Sequence, residues 1–350
     1  MPALLIVPGL GGNEIWTPPS FFGLGDRIKI WLNYAGITVG IWRWLALAAD
    51  GLTPTFPGVG SLDAMGPTEP YYSISYQWFS NRGYAVSFAS NFWLGPIESD
   101  AISLAHQITG MYAQAPVNIL AHSRGGLVTR RALQLLAAQG NLGLVGRVAG
   151  LGVPHQGSWE AASLIGGFQK SEVLLGILAS LSPGNSYLNP VFGDLLQVIW
   201  TWPVVYQLLP MPGAVGIPPS ATAAVYNAAE WAAQGVGASA AWLTEAQAYW
   251  SSLGPPPSTV DWVDVVGSGL STADQLLTSG PPTSRASYSQ TLAGDGVVPA
   301  RWAVLPGNVS ITTPTGHGSL VNDGRVLDAL NGYYRNGLTQ NVVIGGGLLP

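Results

Sequence analysis

The sequence predicts an α/β fold: a mostly parallel sheet flanked by helices, with a helical segment inserted late in the chain. Three observations carry this. Short apolar runs closed by glycine or proline alternate with amphipathic stretches, the pattern of strand–helix repeats. The turn His122-Ser123-Arg124-Gly125-Gly126 joins one such run to a long helical pattern. A charge-poor block, residues 157–258, then breaks the alternation before it resumes.

Ala3–Val7 is a five-residue apolar run closed by Pro8-Gly9, which reads as a buried parallel strand. Gly9–Asn13 follows as a loop. Residues 14–70 read as irregular, rich in Trp, Gly and Pro, with a short helix near Ile41–Ala49. Tyr71–Arg82 reads as a helix ended by Gly83, Tyr84–Ser90 as a strand, and Ser99–Tyr112 as an amphipathic helix. Val117–Ala121 is the strand before the turn. Leu127–Gln139 is the helix after it, stopped by Gly140. Arg147–Val153, Asp261–Val266 and Val309–Thr313 complete the strands, and Val321–Asn331 is the closing helix. These spans predict a core of residues 1–156 and 259–350, with 157–258 as an apolar helical cap.

Composition narrows the function classes. The 350 residues are 47% hydrophobic and 9% charged, against about a quarter charged in an ordinary soluble domain. Net charge is −5 with 13 Lys+Arg, so no basic footprint for nucleic acid is expected. There is no cysteine, which excludes disulfides, a thiol nucleophile and Cys-ligated zinc. No cluster of metal ligands is visible in the sequence, so neither a metal nor a cofactor is expected. Met1-Pro2 leads into an apolar run with no basic start and no small-residue cleavage site, which makes a cytoplasmic location the default expectation.

Between Val173 and Ala229 the sole charged residue is Asp194. Hydropathy alone suggests a membrane span. Seven prolines, among them Pro183, Pro190, Pro203 and Pro219, interrupt it, so short helices and loops are expected instead. Trp200, Trp202, Val204, Val205, Leu208 and Leu209 have two readings: contact with a membrane or lipid surface, or packing of the cap against the core.

Ala121-His122-Ser123-Arg124-Gly125 matches a nucleophile elbow with Ala in place of the first Gly. Small residues two before and two after the serine let strand and helix approach. The turn exposes Oγ at a helix N-terminus, where dipole and free N–H groups favour an oxyanion. The alternative is a plain strand-to-helix turn with a capping serine.

A serine needs a base, and the chain has four histidines: His106, His122, His155 and His317. The order serine, acid, histidine expected of an α/β-hydrolase fold selects His317, in Thr315-Gly316-His317-Gly318-Ser319. His155 is second choice as base and a residue that would line the substrate pocket. His122 reads as packing near the elbow and His106 as structural. The acid is Asp295, in Gly294-Asp295-Gly296-Val297-Val298-Pro299, 22 residues before His317, where it would orient the imidazole. Asp261, Asp264 and Asp274 are its alternatives, and an ordinary Asx turn is the bland account of Asp295. The oxyanion donors are expected to be the N–H groups of Arg124 and Leu10, with Gly9 and Gly11 shaping a substrate-binding loop. The same loop is not a dinucleotide fingerprint, because Glu14 stands where its third glycine should be.

These motifs resemble those of the lecithin:cholesterol acyltransferase family. The resemblance rests on Val7–Gly12, Ala121–Gly126, Leu151–Ser158, Val265–Thr272, Gly294–Pro299 and Gly316-His317-Gly318, in that order. It implies an acyl-serine mechanism on lipid-type esters, by hydrolysis or by acyl transfer to an alcohol. The leading expectation is therefore an esterase or lipase acting on an apolar ester. Acyl transfer, hydrolysis of a bulky lactone or macrolide, and non-catalytic binding of an apolar ligand are the alternatives.

Overall fold

The computed structural model describes residues 1–19, 27–31, 33, 40–112, 115–167, 195–282 and 284–345. Its strands are β1 (Ala3–Val7), β2 (Asn13–Trp16), β3 (Lys29–Trp31), β4 (Asp63–Pro67), β5 (Ala85–Phe88) and β6 (Val117–His122). They continue as β7 (Val145–Leu151), β8 (Trp262–Gly267), β9 (Thr272–Leu276), β10 (Tyr288–Thr291), β11 (Val309–Thr313) and β12 (Val342–Val343). The helices are α1 (Ser73–Ser80), α2 (Ile97–Met111), α3 (Arg124–Ala138), α4 (Trp159–Gly166), α5 (Pro203–Gln207), α6 (Pro219–Val225), α7 (Ala228–Ala232), α8 (Ala240–Ser252) and α9 (Gly324–Asn336).

Seven strands form the central sheet in the order β5-β1-β6-β7-β8-β11-β12. Each pairs in parallel with its neighbours. Period-two alternation decides which helices each strand residue meets. In β1, Leu5 and Val7 belong to the cluster that contains Leu104 of α2 and Leu127 of α3. Leu4 and Ile6 belong to the opposite cluster, with Phe79 of α1 and Leu327 and Leu330 of α9. Helices thus cover both faces, and a helical segment lies between β7 and β8. This is the α/β-hydrolase architecture expected from the sequence.

The strand order locates the site. From β1 the chain steps outward to β5, then returns to β6 on the other side of β1, and every later step runs the same way. The reversal lies between β1 and β6. Parallel sheets hold ligands at the carboxyl ends of the strands at such a reversal.

The tryptophan-rich segment carries short helices among the described residues, and most of the apolar side chains around Trp202 are internal. Val204, Val205 and Leu209 are fully buried, and Trp202 and Leu208 nearly so. The indole N–H of Trp202 donates to the Leu45 carbonyl at 2.8 Å, and that of Trp200 to Ile165 at 2.8 Å. Packing against the rest of the chain therefore describes these residues in this conformation. Pro203 and Pro219 stand at helix N-termini, where the missing N–H costs nothing. Residues 173–194, with Pro183 and Pro190, lie outside the described residues. Among those described, no helix is long and apolar enough to cross a membrane.

Several elements differ from expectation, among them β9, β10 and β12, which were not among the expected strands. The closing helix begins at Gly324 rather than Val321, because the Asp323 carboxylate caps it by accepting the Arg325 N–H at 2.9 Å. Within 14–70, β2, β3 and β4 form an antiparallel sheet. The predicted helix near Ile41–Ala49 is a single 3₁₀ turn over Ile41–Leu45.

Candidate active site

β6 ends at His122, and α3 starts at Arg124. Ser123 alone bridges them, at φ 55° and ψ −128°. It is the sole non-glycine residue with positive φ among those described, a conformation that stores strain where a fold over-determines it. The sequence supplies the over-determination. A Cβ at Gly125 would overlap the Val7 carbonyl oxygen, and one at Gly126 would overlap Val153. With Ala121 fully buried, small residues on both sides let α3 start against the end of β1.

His317 Nε2 lies 2.8 Å from Ser123 Oγ, and His317 Nδ1 lies 2.7 Å from Asp295 Oδ2. Both His317 and Asp295 are buried. The other carboxylate oxygen, Oδ1, accepts the N–H groups of Val297 at 2.9 Å and Val298 at 2.7 Å. The Asx turn thus coexists with the histidine contact and aims Oδ2 at the imidazole. Thr272 packs where a Cβ of Gly294 would lie and accepts the Gly296 N–H at 2.9 Å. These contacts explain the Gly-Asp-Gly spacing. The structure brings together Ser123, Asp295 and His317, from three separate stretches of chain.

The loop after β1 lies beside them. Leu10 borders Ser123 in a narrow cavity of about 40 Å³. Pro154, Ala161, Leu164, Leu208 and Val297 also line it, with Ser158, Glu160 and His317 as polar members. Among the described residues, neither the Leu10 nor the Arg124 backbone N–H has a hydrogen-bond acceptor in the protein. The Arg124 guanidinium is fully buried and pairs with Asp100 at 2.6 Å. Burial raises the Asp100 carboxyl above its ordinary range, against the opposing pull of Arg124.

Other expected residues stand elsewhere. His155 does not line this cavity; its Nε2 meets Asp264 Oδ1 at 3.0 Å. Asp264 also accepts from the Trp262 indole and the Leu305 N–H. Burial lowers the His155 pKa, Asp264 opposing. Pro154, one residue earlier, takes the place at the cavity that His155 was expected to take. Gly9 and Gly11 do not line it either. The Gly9 N–H donates to the Tyr72 hydroxyl at 2.9 Å, and the Gly11 carbonyl accepts from Trp31 and Thr68. Asp261 pairs with Arg147 and Asp274 with Arg301, and His106 is exposed on α2. Among the described residues, no group of three or more His, Asp or Glu is placed to hold a metal ion.

Sequence reasoning passed over Tyr72, which is buried against the elbow. Its hydroxyl lies 3.0 Å from His122 Nδ1, and His122 Nε2 lies 3.1 Å from the His317 carbonyl oxygen. Burial, with repulsion from His317 second, lowers the His122 pKa to about 3. Tyr72 opens a helical pattern 50 residues before its partner, and nothing in that local pattern signals the contact.

No protein-family model matches the chain, and no curated protein sequence matches it. Solved structures do. A Bacillus licheniformis lipase in its propeptide form aligns over 99% of this chain and 52% of its own, at 14% identity and a TM-score of 0.48. This chain thus spans about half of that one. The mature form of the same lipase aligns over 95% and 91%, at 15% identity and a TM-score of 0.46. A metagenomic carboxyl esterase aligns over 87% and 90%, at 14% identity and a TM-score of 0.39. The chain's similarity to these proteins is one of fold.

Proposed function

We propose that this protein is a serine hydrolase of carboxylic esters with an apolar acyl or alcohol part. The observation that carries the proposal is the continuous contact Ser123 Oγ–His317 Nε2–His317 Nδ1–Asp295 Oδ2, at 2.8 and 2.7 Å. With Nδ1 protonated toward the carboxylate, the Nε2 lone pair accepts the serine proton. Ser123 Oγ bonds to the ester carbonyl carbon, and the carbonyl oxygen takes the negative charge. The N–H groups of Leu10 and Arg124 stabilise it, the latter at the first residue of α3. As the tetrahedral intermediate collapses, the alkoxide leaves with the proton from His317 Nε2. Water then repeats the sequence on the acyl-serine and releases the acid. Asp295 stays ionised and holds the imidazole in the required tautomer.

Acyl transfer to an alcohol is the second reading. The mostly apolar cavity lining favours it by limiting water at the acyl-serine. The motif resemblance to the lecithin:cholesterol acyltransferase family points the same way and toward lipid-type esters. Hydrolysis of p-nitrophenyl esters from short to long chains, by wild type and Ser123→Ala, tests the proposal. Loss of turnover in the variant is expected; full activity in the variant would refute it. Repeating the assay with an added long-chain alcohol or sterol, and analysing products for a new ester, separates transfer from hydrolysis.

A further inference from the structure

The hydrogen bonds around His122 have one consistent direction. The Gly9 N–H can only donate, so the Tyr72 oxygen accepts there, at 2.9 Å. The His317 carbonyl can only accept, so His122 Nε2 carries a proton, at 3.1 Å. A buried neutral imidazole has one N–H, which leaves Nδ1 bare. Nδ1 therefore accepts the Tyr72 O–H, at 3.0 Å. The result is a directed chain: Gly9 N–H to Tyr72 O–H to His122, and His122 N–H to the His317 carbonyl.

Every link is shielded from water. Tyr72 is 1% exposed, His122 3% and His317 4%. Missing side chains make the path fit. A Cβ on Gly12 would stand 3.0 Å from the Tyr72 hydroxyl, and one on Gly9 would stand 3.0 Å from Ser123 Cβ. Tyr72 itself is braced edge-on by Phe88 and Tyr71.

We propose that Tyr72 and His122 are positioning residues that lock the oxyanion loop to the base loop across the nucleophile elbow. Tyr72 fixes the Pro8–Gly9 peptide plane by accepting the Gly9 N–H; the Gly9 carbonyl, held by the Gly12 N–H at 3.1 Å, fixes the next plane, from which the Leu10 N–H is presented at the cavity. His122 is the last residue of β6 and fixes the carbonyl of His317, whose ring serves Ser123. One chain thus holds an oxyanion donor and the base in register, and neither Tyr72 nor His122 touches the substrate. The proposal rests on the reading of Ser123 as nucleophile.

The test uses Tyr72→Phe, His122→Asn and His122→Gln. Asn keeps an acceptor near the Nδ1 position for Tyr72, and Gln keeps a donor near the Nε2 position for the His317 carbonyl. The readout is the second-order rate at which a fluorophosphonate labels Ser123, followed by mass spectrometry, together with the affinity for a trifluoromethyl ketone. Both probes place negative charge on an oxygen in the oxyanion hole and need no knowledge of the natural ester. Tyr72→Phe is expected to slow labelling and weaken the ketone by about tenfold or more, short of the hundredfold or more for deleting a donor outright. KM for a p-nitrophenyl ester should hold within about twofold, because ground-state binding is untouched. Tyr72→Phe combined with His122→Asn should cost less than the product of the single losses, since both break one chain. Labelling and ketone affinity within twofold of wild type in Tyr72→Phe would overturn the proposal. So would losses that multiply independently in the double variant. A wild-type protein that the fluorophosphonate does not label at Ser123 would instead refute the nucleophile reading.

Discussion

Asp295 and His317 are joined twice. The His317 N–H donates to the Asp295 carbonyl at 2.9 Å, and the two side chains meet again at 2.7 Å. The main-chain bond fixes how far apart the two loops sit, and the side-chain bond fixes how the ring turns. A carboxylate that merely capped its own turn would need neither.

This pairing makes Asp295→Asn informative. Oδ1 of the amide can still accept from Val297 and Val298, which leaves its NH₂ facing His317 Nδ1. Nδ1 must then accept, the proton moves to Nε2, and Nε2 can no longer take the serine proton. We expect kcat to fall by about 10³–10⁴-fold with the fold intact. Steady-state ester hydrolysis alongside urea unfolding checks both halves; a loss under tenfold would assign the acid role elsewhere.

Gly152→Ala should damage the same pair from behind. Gly152 has φ +58°, and a Cβ there would lie 2.9 Å from His317 Nδ1 and 3.0 Å from Asp295 Oδ2. The ring must shift by a few tenths of an ångström or the bend at Gly152 must open. A drop of about tenfold to a hundredfold in kcat is expected from misplacing the base. The left-handed backbone adds a cost of about 1–2 kcal/mol in stability. Unchanged kcat in a folded variant would show that the ring has room to move.

The legibility of this site in sequence follows from how local each part is. The elbow, the loop after β1 and the Gly-Asp-Gly turn are contiguous motifs, and backbone sterics dictate their residues: Gly125 against Val7, Gly294 against Thr272. They could be read without a partner in view. Six of the seven parallel strands were visible as short, mostly apolar runs; β12, two residues long, was not. The sheet formed by β2, β3 and β4 was not visible either, because its strands are three to five residues long and their sequences do not alternate apolar with polar; in β2 the two buried positions are Asn13 and Ile15. His155 was misplaced for a different reason. Its neighbourhood in sequence belongs to the site, but its side chain turns to Asp264, 109 residues away. Tyr72 was missed because its role depends wholly on such distant partners.

Acid should weaken the fold through its buried imidazoles. In the unfolded chain His122 titrates near 6.5, whereas in the fold burial, and then repulsion from His317, lower it to about 3. Between these values the unfolded chain binds a proton that the folded chain refuses. Stability therefore falls as pH drops through this window, by up to about 1.4 kcal/mol per pH unit. His155, also lowered by burial, acts with the same sign. Urea midpoints from pH 7.5 to 4.5 should show a shallower slope in His122→Gln than in wild type, the carboxylates being common to both. Equal slopes would mean that His122 is protonated in the fold.

The last expectation concerns the ion pair beneath the oxyanion hole. Arg124 presents its N–H at the start of α3 while its guanidinium, fully buried, meets Asp100 at 2.6 Å. Asp100 also accepts the Phe92 N–H at 2.7 Å, so one carboxylate ties α2, α3 and the loop after β5. Asp100→Ala leaves a buried cation without its counter-ion, which costs about 3–5 kcal/mol. Replacing both partners with apolar residues, as in Arg124→Met with Asp100→Leu, removes the stranded charge and should restore much of that stability. If the double variant is as unstable as Asp100→Ala, the loss arises from packing at the start of α2 rather than from charge. Arg124→Met keeps the backbone N–H that serves the oxyanion, so a refolded double variant should retain ester turnover. Loss of turnover there, with stability recovered, would show that the ion pair sets the angle of the first turn of α3.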